Sequence, residues 1–124
     1  MQHLSKRERQ IMDVIYMLGR ATAIEVRQHL PEDVGDDSVR KLIRILEEKG
    51  HLSHQRIGRS LLYSPRMAAE EARRQAMLHL LRTFFSGSAS KAVSTLLDVA
   101  GDTLSAADVS ELQALIKQAK QKGR

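Results

Sequence analysis

The chain of 124 residues contains no cysteine, which excludes disulfides, thiol nucleophiles and thiolate metal sites together. No apolar run approaches the roughly 18 residues of a membrane span, and the opening MQHLSKRERQ has no apolar segment of the signal-peptide kind. A cytoplasmic protein without a membrane partner is therefore expected. The sequence also lacks a nucleophile elbow and a glycine-rich phosphate loop, so no enzyme is expected. His51 and His54 are the nearest approach to a metal pair. Three residues apart on a strand, they would point to opposite faces. Neither a metal nor a cofactor is expected. Internal repeats and low-complexity segments are absent as well.

What is present is positive charge, at a formal net of +5. An excess of this sign favours a polyanionic partner without naming one. The cations are not segregated: residues 1–64 hold 11 Lys/Arg against 9 Asp/Glu, and residues 65–124 hold 9 against 6. Local placement has to decide what the charge is for.

Ser5 with Glu8, and Thr22 with Glu25, are capping-box pairs that start two helices. The first carries Ile11, Ile15 and Leu18 as an apolar stripe and ends at Gly19. The second turns Val26 and Leu30 inward and stops at Pro31. A third helix is predicted from about Asp36 to Lys49, with Val39, Leu42, Ile43 and Leu46 at the spacing of one buried stripe, and Gly50 closing it. His51 to Arg56 and Ser60 to Ser64 read as two short strands joined by Ile57-Gly58-Arg59, with Leu52, Leu62 and Tyr63 as anchors. Three helices followed by a basic hairpin give the order of a winged helix-turn-helix.

Pro65 ends the hairpin and the chain changes character. A helix from Met67 to Phe85 is apolar around much of its second half, where one stripe would suffice for a small domain. After the break at Ser86-Gly87-Ser88, further helices carry Val93, Leu96 and Leu97, then Val109, Leu112, Leu115 and Ile116. The remaining chain is too short to cover so much apolar surface, so a second subunit is the expected cover. The expectation is a mainly α protein in two parts: a winged-helix DNA-binding domain over 1–65 and a three-helix dimerisation region over 66–124. Met77, Leu78, Leu81, Phe84, Phe85, Leu96, Leu97, Leu112 and Ile116 are the candidate dimer interface.

The stripe on the third helix leaves Ser38, Arg40, Lys41 and Arg44 facing outward within two turns, as candidates for a DNA major groove. Arg has the shape that matches guanine O6 and N7. Arg56 and Arg59 flank Gly58 at the hairpin tip, where a wing would meet phosphates or a minor groove. Asp36 and Asp37 repel phosphate but suit the helix dipole, so they are expected to tilt from the backbone or to enforce selectivity.

LSKRERQIMDVIYMLGRATAIEVRQHL and DSVRKLIRILEEKGHLSHQRIGRSLLYSP resemble the penicillinase-repressor family of bacterial regulators, of the BlaI/MecI/CopY type. ARRQAMLHLLRTFFSGSASKAVSTLLD with LSAADVSELQALI looks like the same family's dimerisation region. The resemblance spans almost the whole chain and implies a homodimeric transcriptional repressor. Its winged helices would bind an inverted-repeat operator in double-stranded DNA through Ser38, Arg40, Lys41, Arg44 and Arg59. Two departures stand out. Members inactivated by a protease are cut at an Asn-Phe bond, whereas this neighbourhood reads Thr95-Leu96-Leu97-Asp98-Val99. The copper-sensing branch uses a cysteine-rich tail, which is missing. The inducing partner, a protease or another, stays open. The alternative reading is a winged-helix protein-interaction adaptor that does not bind DNA sequence-specifically.

Overall fold

The computed structural model describes residues 3–122. The chain divides into two compact units, one ending at Gln75 and one beginning at Ala76. The first holds α1 (Lys6–Leu18), α2 (Ala23–His29), α3 (Asp36–Glu48), β1 (Leu52–Ile57) and β2 (Ser60–Pro65). The helix α4 (Ala69–Phe84) runs from the first unit into the second, which continues with α5 (Ala89–Ala100), a 3₁₀ turn and α6 (Ala106–Lys122).

Both N-terminal capping boxes form. Glu8 N–H donates to Ser5 Oγ at 3.1 Å while Ser5 N–H donates to Glu8 Oε1 at 2.8 Å. Thr22 and Glu25 repeat the exchange at 3.2 and 2.9 Å. At the other end of the third helix, Gly50 takes a positive φ of 86°. There His51 N–H donates to the Leu46 carbonyl at 2.9 Å and Gly50 N–H to that of Glu47 at 3.0 Å. This paired arrangement satisfies carbonyls that a helix end otherwise leaves bare, and it turns the chain into β1.

The core of this unit joins three helices and one strand: Ile11 and Ile15 from α1, Val26 from α2, Val39, Ile43 and Leu46 from α3, and Leu52 from β1 are essentially inaccessible. Leu18 differs from expectation, lying exposed at the end of α1, while Met12 and Val14, which flank the stripe, are buried with it. Glu8 is the single buried charged residue among those described, 4% exposed. Lys49 at the end of α3 answers it, its Nζ donating to Glu8 Oε2 at 2.9 Å and Oε1 at 3.1 Å.

The hairpin is antiparallel, with Leu52 opposite Pro65, Arg56 opposite Leu61 and Ile57 opposite Ser60. Ile57 belongs to the strand, so the connection is Gly58-Arg59 and one residue shorter than expected. Two-residue connections match the natural twist of paired strands, and the positive φ of Gly58, 63°, suits the first central position of such a turn. Ala21, between α1 and α2, pairs with the outer edge of β2: its N–H donates to the Tyr63 carbonyl at 2.9 Å, and its carbonyl accepts from Tyr63 N–H at 2.8 Å. Since strand side chains alternate, Leu52, His54 and Arg56 share one face with Leu61, Tyr63 and Pro65. Leu62, expected as an anchor, lies on the opposite face and is half-buried.

In the second unit Ser88 caps α5 through Lys91 N–H at 3.1 Å, and Ser105 with Asp108 caps α6 by a reciprocal pair at 3.1 and 3.0 Å. The break between α4 and α5 uses positive φ at Ser86 and Gly87. Yet no described residue of α4, α5 or α6 is buried.

Candidate nucleic-acid interface

A helix turns about 100° per residue, so the burial of Val39, Ile43 and Leu46 fixes where the other side chains of α3 lie. Lys41 and Arg44 stand opposite the buried stripe, together with Asp37 and Glu48, and all four are exposed. Arg40 and Glu47 lie on one flank. Ser38, exposed, lies on the other. The four candidates therefore fan over an arc instead of forming one row; Ser38 and Arg44, six residues apart, are separated by about 120°.

The flank that carries Arg40 and Glu47 is the one beside the hairpin. Glu47 Oε2 hydrogen-bonds His54 Nδ1 on β1, and the His54 ring meets Tyr63 edge-on with centroids 5.8 Å apart. Arg40 shares a cleft of about 290 Å³ with Arg56 and Arg59 of the hairpin; Thr22, Ala23, Ile24, Ser60, Leu61 and Tyr63 complete its walls. Alternation along β1 explains how Arg56 arrives there, because it lies on the strand face that buries Leu52. Arg59 reaches the same cleft from the turn.

Asp36 is paired within the helix. Arg40 Nε donates to its Oδ2 at 2.9 Å, one helical turn back, with both side chains about half exposed. This bond is the main cause that raises the Arg40 pKa above its usual value. The guanidinium stays charged and sits against the Asp36 carboxylate, offsetting part of its field. The Tyr63 hydroxyl titrates higher than usual, first through burial and then through Glu47, with Arg40 and Arg44 pulling it back. Among the described residues, neither Lys41 nor Arg44 pairs with an acid.

The Asp36 tether, the Glu47–His54 bond and the lining role of Tyr63 were missed in the sequence. Only the first had a signal there, the i, i+4 spacing of Asp and Arg. No group of three or more His, Asp or Glu able to hold a metal occurs among the described residues. Among the described residues, no helix is long and apolar enough to cross a membrane.

The candidate interface residues of the second unit are largely uncovered. Phe84 is 71%, Ile116 63% and Leu96 59% exposed. Met77, Leu78, Leu97 and Leu112 are also exposed, while Leu81 and Phe85 are half-buried.

Among solved structures, the reduced form of MarR from E. coli is 16% identical with a TM-score of 0.51, covering 94% of this chain and 77% of that one. A Cys-to-Ser mutant of MarR from E. coli complexed with operator DNA is 16% identical, with a TM-score of 0.52 over 94% of this chain and 75% of that one. ZitR from Lactococcus lactis, a Cys-to-Ser mutant in complex with DNA, is 16% identical with a TM-score of 0.50 over 98% and 77%. At such identity the likeness establishes the winged-helix fold. No curated protein matches by sequence. The family model described as Penicillinase repressor matches residues 4–118, and with nearly the whole chain covered, this protein belongs to the penicillinase repressor family of transcriptional regulators.

Proposed function

We propose that the protein is a homodimeric transcriptional repressor that binds an inverted-repeat operator with α3 and the hairpin wing. Residues 1–65 would be the DNA-binding domain and 66–124 the dimerisation region. The observation that carries the reading is the convergence of Arg40 from the helix with Arg56 and Arg59 from the wing on one cleft, beside the unpaired Lys41 and Arg44. Phosphate contacts from such cations supply affinity, and side chains reaching base edges supply choice of sequence. The fold is one that MarR and ZitR use with DNA bound.

Energetics supports dimerisation. Apolar surface left in water forgoes about 25 cal/mol per Å², and the exposed Phe84, Leu96 and Ile116 belong to a unit without a buried core. A second copy covers that surface and delivers a second wing and helix as an effectively intramolecular event. Half-sites would then lie about 10 base pairs apart, centre to centre, or a multiple of that. Bound across a promoter, the dimer would exclude polymerase sterically.

Selection of bound duplexes from a random pool tests the reading. The expected product is an inverted repeat with that spacing. Failure to enrich any duplex at low salt, with a specific protein captured instead, would replace the repressor by an adaptor.

A further inference from the structure

Arg40 and Arg44 are equivalent in sequence terms: both are arginines on the same helix, one turn apart. Their surroundings are not. Arg44 is opposite the buried stripe and pairs with no acid among the described residues. Arg40 is bent toward the N-terminal end of α3 by Asp36, at 2.9 Å, and borders the cleft with the wing arginines. Three guanidiniums against one carboxylate leave the cleft with a net charge near +2 and the mutual repulsion that goes with it. An oxyanion relieves that repulsion. Ser60 also borders the cleft.

We propose that this cleft seats one phosphate of the DNA backbone, clamped between helix and wing by Arg40, Arg56 and Arg59, so that Arg40 is an anchoring residue and base reading falls to Lys41 and Arg44. The inference rests on the repressor reading above and assigns roles within its site. Geometry supports the division. When a helix lies in the major groove its outermost side chains meet base edges, while side chains on its flank meet the phosphates that line the groove. Arg40 is on the flank beside the wing, and the tether to Asp36 holds it there. Asp36 thereby becomes a positioning residue.

The experiment measures binding of the full-length protein to the selected duplex and to a scrambled duplex of equal length, across a salt series. Arg40→Ala should weaken both about tenfold, leave their ratio unchanged and reduce the salt slope by about one unit per protomer. Arg40→Lys should recover most of the loss, since a phosphate accepts a point charge and a bidentate guanine contact does not. Arg40→Ala added to Arg59→Ala should cost less than it does alone, because both remove the same clamp. Arg44→Ala should instead narrow the ratio between the duplexes. A narrowed ratio in Arg40→Ala, with the salt slope unmoved and no rescue by lysine, would overturn the assignment. Stoichiometric uptake of inorganic phosphate by the DNA-free protein, lost in Arg40→Ala while binding of both duplexes is unchanged, would overturn it differently, by making the cleft a small-anion site. A wild-type protein that binds neither duplex removes the repressor reading itself, and the assignment with it. Thermal melts check that each variant is folded, as the half-exposed position of Arg40 predicts.

Discussion

The two units of this chain treat apolar residues in opposite ways. Up to Gln75, side chains from three helices and a strand enclose one another until Ile11, Ile15, Val26, Val39, Ile43, Leu46 and Leu52 lose almost all contact with water. From Ala76 onward the sequence is at least as apolar, yet Met77, Phe84, Val93, Leu96, Leu97 and Ile116 remain exposed. Hydrophobicity is therefore not what separates the units. Closure is: helices crossed by a hairpin can surround a core, whereas the helices of the second unit leave theirs uncovered. The first unit has a closed core of its own, and the second would gain one by the association proposed above.

Phe84→Asp is the sharpest way to break that contrast. A carboxylate on the proposed dimer face should yield monomers in sedimentation. Operator affinity should fall by about 10²–10⁴-fold, the avidity that linkage of two binding units confers. The wild-type melting temperature should rise with protein concentration, as it does when folding is coupled to assembly, and that of the variant should not. A variant that stays dimeric would place the interface elsewhere.

A pair of large-to-small changes sharpens the same comparison in terms of stability. Ile15→Ala, at a fully buried site, should cost about 2–5 kcal/mol in denaturant unfolding. Leu96→Ala in the Phe84→Asp monomer should cost within about 0.5 kcal/mol, since its side chain is already in water. Comparable losses at the two sites would mean that the second unit has a core of its own.

The difference between the units also explains what could be read from the sequence. Helix starts were legible because Ser5, Thr22 and Ser105 each precede an acid by three residues, a local signal for a local structure. Periodicity located the core of α3 for the same reason. The ladder between Ala21 and Tyr63 was not legible, being a contact across 42 positions that no local pattern encodes. Candidate cations were found as a set, but their division was not. Whether Arg40 faces the wing depends on the path of a hairpin whose turn is one residue shorter than its composition suggested. In the second unit the helices were predictable and their uncovered state was inferable from sheer apolar excess. Which residues meet a partner is a property of two chains.

Within the first unit, surface and core should separate by what each loses. Arg44→Ala should lower specific affinity by about 1–3 kcal/mol, if its guanidinium reads a base edge. Its unfolding free energy should change by less than about 0.5 kcal/mol, because the side chain is exposed and unpaired. Binding to the selected and scrambled duplexes measures the first quantity and urea titration the second. Unchanged discrimination would remove Arg44 from the base-reading set.

Glu8 tests the first unit's self-sufficiency at the one place among the described residues where it buries a charge. Its carboxylate accepts from Ser5 N–H and from Lys49, tying the start of α1 to the end of α3. The Ser5 backbone hydrogen bond is the largest cause holding its pKa below the usual carboxylate value, against the opposing effect of burial. A carboxyl whose folded pKa is depressed binds its proton more readily in the unfolded chain. Its contribution is therefore complete above the unfolded pKa, near 4.5, and is lost as pH falls through the lower folded value. Glu8→Gln keeps the shape and one acceptor but removes the charge, and it should cost about 1–2 kcal/mol at neutral pH. Below the folded pKa both proteins carry a neutral group at this position, so the difference in their unfolding free energies should shrink toward zero. A gap that persists in acid would show that Glu8 acts through packing and capping geometry, with the Lys49 pair contributing nothing to stability.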